Sequence, residues 1–157
     1  MKRSLCIVSI AVWVVTLVAA GWFFVRGWTA QGADGRIQVV LAPAERDLIL
    51  GEMRMLLKAV HGVVTGLAGR DQGLDLVQIE QAARSAGMGM AEDVNPALMA
   101  KLPLPFKQMG MSIHHDMDAL ADAVVKRETQ QQILQRLTSI TARCTICHDM
   151  YRIGAGQ

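Results

Sequence analysis

A chain of 157 residues has room for one domain with a single modest core. Hydrophobic residues make up 52% of it and the formal net charge is +2, but neither is evenly spread. Lys2, Arg3 and Arg26 take three of the sixteen basic residues, leaving thirteen against fourteen acidic ones, so the basic excess of a nucleic-acid binder is missing.

The first element is apolar. Leu5 to Val25 is a run of twenty-one residues without a charge, and at ~1.5 Å per residue it can cross a hydrocarbon core of ~30 Å as one helix. Lys2 and Arg3 precede it, and Trp22 and Trp28 lie at its far end, which predicts a cytoplasmic N-terminus and an aromatic belt on the other face. A signal peptide cut after Ala20 or Ala30 is the alternative and would leave a soluble periplasmic protein. The run exceeds the ~7–15 residues usual for such a segment. Residues 1–28 are therefore read as an uncleaved anchor in the inner membrane, with the rest facing the periplasm. Gly27 to Gly35 (GWTAQGADG) opens a flexible tether, assigned to residues 29–42.

Residues 43–157 carry four segments of helical periodicity and no convincing strand run. The first opens at Pro43 with Glu45 in its first turn and runs to about Ala68, with Leu48, Met55, Ala59, Val63 and Leu67 predicted inward. The second spans about Leu74 to Ala86. Pro96, Pro103 and Pro105 then preclude a long helix. The third starts near Phe106 and presents Phe106, Met109, Ile113, Met117, Leu120 and Val124. The fourth runs from about Thr129 to Arg152, with Ile133, Leu137, Ile140, Cys144, Cys147 and Tyr151 on its stripe. The predicted fold class is all-α, an antiparallel up-down four-helix bundle preceded by one transmembrane helix. Beyond the anchor and its flank the only aromatic residues are Phe106 and Tyr151, so the core lacks large flat groups.

At the end of the last helix stands CTICH, residues 144–148. Structural zinc wants four protein ligands, and no second CxxC or paired histidine motif accompanies this one. A redox thiol pair belongs at the start of a helix in a βαβ setting, not at the far end of a helix in an all-α pattern. Covalent haem uses every residue: Cys144 and Cys147 can form thioethers to one porphyrin, and His148 presents an imidazole to the iron. Such haem is attached on the exported side, where the anchor places this segment. One haem c per chain is the expected cofactor.

A CxxCH closing the last helix of a four-helix bundle resembles the cytochrome c-prime family. The family's last helix ends in a C-x-x-C-H-x-x-Y-R-like segment, which CTICHDMYR matches through Cys144, Cys147, His148, Tyr151 and Arg152. FKQMGMSIHHDMDALADAV is similar to its third helix. In the first helix, MLLKAVH puts Met55 where the family carries its distal residue, with His61 six positions later. The resemblance covers roughly residues 43–153. It implies proximal ligation by His148 and distal ligation by Met55, hence a low-spin iron of raised potential that carries single electrons and is not an enzyme. It also implies redox partner proteins and pairing of two copies. Many relatives are soluble and leave the sixth position vacant, so the alternative is an open-site protein that binds nitric oxide or carbon monoxide. Met53 lies two residues from Met55, so only one of them can face the haem.

Other residues carry blander readings. His114 and His115 are consecutive and point about 100° apart, which predicts solvent for at least one. His61 reads as structural, and the methionines Met88, Met90, Met99, Met109, Met111 and Met117 as packing more than a copper box. Arg143 and Arg152 flank the motif, where either a haem propionate or solvent could take them; the resemblance includes Arg152. Cys6 is a small apolar residue of the anchor.

Overall fold

The computed structural model describes residues 2–69, 73–91 and 95–155. Helix α1 (Lys2–Arg26) is followed by β1 (Thr29–Gln31), β2 (Ile37–Leu41), α2 (Pro43–Ala68), α3 (Leu76–Arg84), α4 (Met88–Ala91), α5 (Pro96–Lys101), α6 (Leu104–Val125), α7 (Gln130–Met150) and β3 (Tyr151–Ala155). Most of the described residues are helical, and a small sheet of three strands accompanies the helices.

Helix α1 is long and apolar enough to cross a membrane over Cys6–Arg26, and none of the residues of that span is buried. The side chains of Lys2 and Arg3 lie outside the described residues. The predicted tether is instead structured. Beyond Gly27, β1 pairs antiparallel with β2, with Thr29 opposite Val39 and Gln31 opposite Ile37. β2 in turn pairs in parallel with β3, placing Ile37 beside Tyr151 and Leu41 beside Ala155. The expectation of no strands fails here, and so does the reading of Tyr151 and Arg152 as helical. β2 is short, and its alternation (Val39 and Leu41 buried, Ile37 and Gln38 less so) covers too few residues to register as a period.

The long helices match the periodicity. Pro43 opens α2, and the Ala42 N–H donates to the Glu45 carboxylate at 2.9 Å. Asp75 caps α3 and Thr129 caps α7 by accepting from Gln78 and Gln132 backbone N–H groups. Pro96 and Pro105 fall in the first turns of α5 and α6, where their missing N–H is not needed.

α2 packs on α3, α3 on α6 and α6 on α7. One apolar cluster joins Ala59, Val63 and Leu67 of α2 to Ile79 of α3, Met117 and Leu120 of α6, and Ile133 and Ile140 of α7. A second joins Val39, Leu41 and Tyr151 of the sheet to Ile49, Leu98, Leu102 and Phe106. The inward stripe of α2 is corrected in its first half. Leu48 and Met55 are exposed, and Ile49, Met53 and Leu56 turn inward. The sequence Met55, Ala59, Val63, Leu67 steps by four each time and drifts about 40° per step. Ile49, Met53, Leu56, Val60, Val63 and Leu67 alternate steps of four and three and hold one face.

His114 is buried at 1% exposure while His115 faces solvent, as the pair's divergence requires. Its Nδ1 lies 2.8 Å from the Ala86 carbonyl and its Nε2 2.9 Å from Glu52 Oε1, tying α6 to α2 and to the end of α3. The Glu52 hydrogen bond, against the opposing cost of burial, raises the His114 pKa above its ordinary value. A raised folded pKa gives stability that is fully present below ~6.5 and is lost as pH rises through the folded value. Urea titrations should therefore show the protein losing stability on going from mildly acidic to mildly alkaline pH. His114→Gln should flatten that dependence and cost about 1–3 kcal/mol at acidic pH. A pH dependence unchanged in the variant would show that another group is responsible.

Candidate functional site

The end of α7 lies where the two apolar clusters meet. Cys144 packs against the helical cluster and Cys147 against the cluster containing the sheet. Three residues apart, they share a side of α7. Both are free thiols, half-buried, and burial pushes both pKa values up. A redox pair needs the reverse, a thiol lowered by a helix N-terminus; these sit in the last turns of a helix. Among the described residues, no three His, Cys, Asp or Glu side chains converge as a metal-binding group. His148 is exposed, one residue beyond Cys147.

Cys147 and His148 open onto a cleft of about 180 Å³. Its apolar wall is Leu50 and Met53 of α2, Phe106 of α6, and Tyr151 and Ile153 of β3. Phe106 and Tyr151 meet edge to face with centroids 5.4 Å apart. The cleft is smaller than the ~300–1,000 Å³ of sites that enclose a small molecule, so a large flat ligand there would keep an edge in solvent.

Three arginines, Arg36, Arg46 and Arg152, line the rest. Arg36 Nη1 donates to the His148 carbonyl at 3.0 Å, and Arg36 pairs with Asp34 at 2.7 Å. Arg152 reaches the same Asp34 oxygen at 3.4 Å. These arginines hold Asp34 below the usual carboxylate range, Arg36 most strongly. One carboxylate thus serves two of the three guanidinium groups, and the rim suits an anionic ligand edge.

Of the predicted set, Cys147, His148 and Arg152 line the cleft, while Cys144, one turn earlier on α7, packs against the helical cluster. Met55 does not line it and is 52% exposed on the far side of α2. Its place at the cleft is taken by Met53, which packs with Cys147 and Tyr151. Two residues on a helix are about 200° apart, so one methionine excludes the other. His61 is exposed and does not line the cleft. Arg143 pairs with Asp116 of α6. Met117 lies in the helical cluster, and Met99 and Met109 beside the sheet cluster, as packing residues.

Sequence reasoning named Met53 only as the competitor of Met55 and missed Arg36 and Arg46. The alternation of three and four along α2 could have found Met53. Nothing local marks Arg36, which reaches the site through the β2–β3 pairing. Comparison of the chain with protein-family models, with curated proteins and with solved structures finds no match.

Proposed function

We propose that the chain is a membrane-anchored, periplasm-facing monohaem cytochrome of the c-prime type that carries single electrons and performs no substrate chemistry of its own. The observation that carries this reading is a CxxCH in the last turns of α7 whose Cys147 and His148 open onto a cleft walled in part by Met53 and rimmed by arginines. Haem c, when bound, supplies the one-electron ferric–ferrous couple. Its attachment falls to Cys144 and Cys147, whose raised thiols and shared side suit thioethers better than thiolate redox chemistry.

His148 supplies the proximal imidazole. Arg36 fixes the backbone of that residue through its carbonyl and so limits how the last turn of α7 can rotate. Met53, which faces the cleft where Met55 does not, would offer the iron a thioether, a ligand that favours a low-spin state of raised potential. Leu50, Phe106 and Tyr151 would keep water from the apolar part of the haem, and Arg46 and Arg152 on the rim would be available to its carboxylates. On this reading α2, α3, α6 and α7 are the four helices of the bundle, and α1 is the retained anchor.

Optical spectra of the purified full chain, reduced with and without carbon monoxide, test the ligation. The low-spin spectrum of a His/Met iron is expected, with carbon monoxide entering slowly because it must displace a thioether. A high-spin spectrum and immediate binding would replace electron transfer by the open-site reading, a module for nitric oxide or carbon monoxide.

A further inference from the structure

The segment leaving α1 is gripped by the rest of the chain. Gly27 has φ +64° and closes α1 through a 2.8 Å hydrogen bond from its N–H to the Phe23 carbonyl. A Cβ there would lie 2.5 Å from the Lys101 carbonyl oxygen and from the Pro103 nitrogen, so the chain passes the α5–α6 link in direct contact. The Trp28 N–H donates to the Lys101 carbonyl at 2.7 Å, and the Val40 N–H donates to the Trp28 carbonyl at 2.9 Å.

Two lysines complete the grip. Lys107, 8% exposed, sits 3.9 Å from the centre of the Phe24 ring, and its ammonium lies 3.4 Å from the Phe24 carbonyl. Lys101 lies over Trp28 at 5.3 Å and pairs with Glu45 at 2.6 Å. No freely swinging tether remains.

This grip fixes which end of the helices faces the bilayer. The first turn of α6 stands level with the last turn of α1, because Lys107 touches Phe24. The 22 residues of α6 put its far end about 33 Å along its axis from that contact. α7 returns, since Phe106 at the start of α6 meets Tyr151 just past the end of α7. The sheet gives the same answer independently. Tyr151 lies opposite Ile37, which lies opposite Gln31, three residues past Trp28. Three strand residues and two strand spacings put Tyr151 within about 14 Å of Trp28.

We propose that the domain is clamped onto the outer face of the bilayer with the CxxCH end of α7 membrane-proximal, and that lipid headgroups are the partner of this end. The exposed groups at the seat fit that partner: Arg26 stands beside Trp22 at the exit of α1, and Trp28 is exposed one residue past Gly27, with the partly exposed Lys101 over its ring. A protein partner reaches the cleft along the membrane. The inference rests on α1 being retained as an anchor and not on the haem.

The test places the full chain, with its cofactor content as purified, in liposomes containing a phospholipid whose headgroup bears a photoreactive diazirine. Cross-linked peptides are then mapped by mass. Intact mass of the membrane-bound protein first establishes that residues 1–26 are retained; a cleaved chain would refute the anchor itself, separately from the seating. Labelling should fall on 26–31, 100–107 and 151–154, at least about fivefold above the α6–α7 turn at 125–131. Equal labelling, or stronger labelling of that turn, would overturn the proposal. A second protein with six Gly/Ser residues inserted between Arg26 and Gly27, confirmed folded by circular dichroism, should lose the contrast. Retention of the contrast in that variant would also overturn the clamp.

Discussion

If the chain carries the proposed haem with Met53 as a ligand, Met53→Leu should turn a six-coordinate low-spin iron into a five-coordinate high-spin one that binds carbon monoxide at once, with a lower reduction potential. The substitution removes the sulfur but nearly conserves volume, so packing beside Cys147 and Tyr151 should lose less than ~1.5 kcal/mol. Met55→Leu should leave spectrum, potential and gas binding unchanged, because that side chain is exposed on the opposite face of α2. The pair is decisive because its members are two residues apart and chemically alike. If Met55→Leu changes the spin state and Met53→Leu does not, the rotation of α2 seen here is wrong. If neither changes it, the distal ligand is not a methionine.

Replacing both Cys144 and Cys147 by alanine should abolish covalent haem, with no coloured species surviving acid–acetone extraction. The single variants should retain partial, weaker attachment through the remaining sulfur. The doubly substituted chain should also melt at a lower temperature than the wild type, since any group held by the folded chain and not by the unfolded one stabilises it. The two cysteines bridge separate apolar clusters, so the loss should be felt in α2 and α7 as well as in the sheet. An unchanged haem content in the double variant would eliminate the thioether assignment.

The helices were legible because their burial is periodic. Met117, Leu120 and Val124 on α6, and Ile133, Leu137 and Ile140 on α7, hold a spacing of three and four and are buried. The apolar run of α1 was equally plain. The sheet was not. Its three strands are short, and β3 is a strand only through pairing with residues more than a hundred positions away, as between Ile37 and Tyr151. Composition around Gly27 to Gly35 points to a flexible linker, and only the tertiary contacts with Lys101 and Pro103 make it rigid.

At the candidate site, CxxCH is visible in the sequence because its residues lie within one short stretch. Which methionine of α2 faces the cleft is not, since a helical phase error of two residues exchanges the faces of Met53 and Met55. The arginine rim was half visible. Arg152 follows the motif in sequence, whereas Arg36 and Arg46 arrive from the turn before β2 and from α2 by the fold alone.

The central claim is that the chain carries haem c through Cys144 and Cys147. Its most direct test is the intact mass of the full-length protein, purified from membranes of a host able to attach haem to exported CxxCH and then extracted with acid–acetone. The account predicts a chain heavier by one haem, with the added mass on the peptide containing residues 144–148. A chain at its bare polypeptide mass, binding zinc stoichiometrically through the same residues, would contradict it.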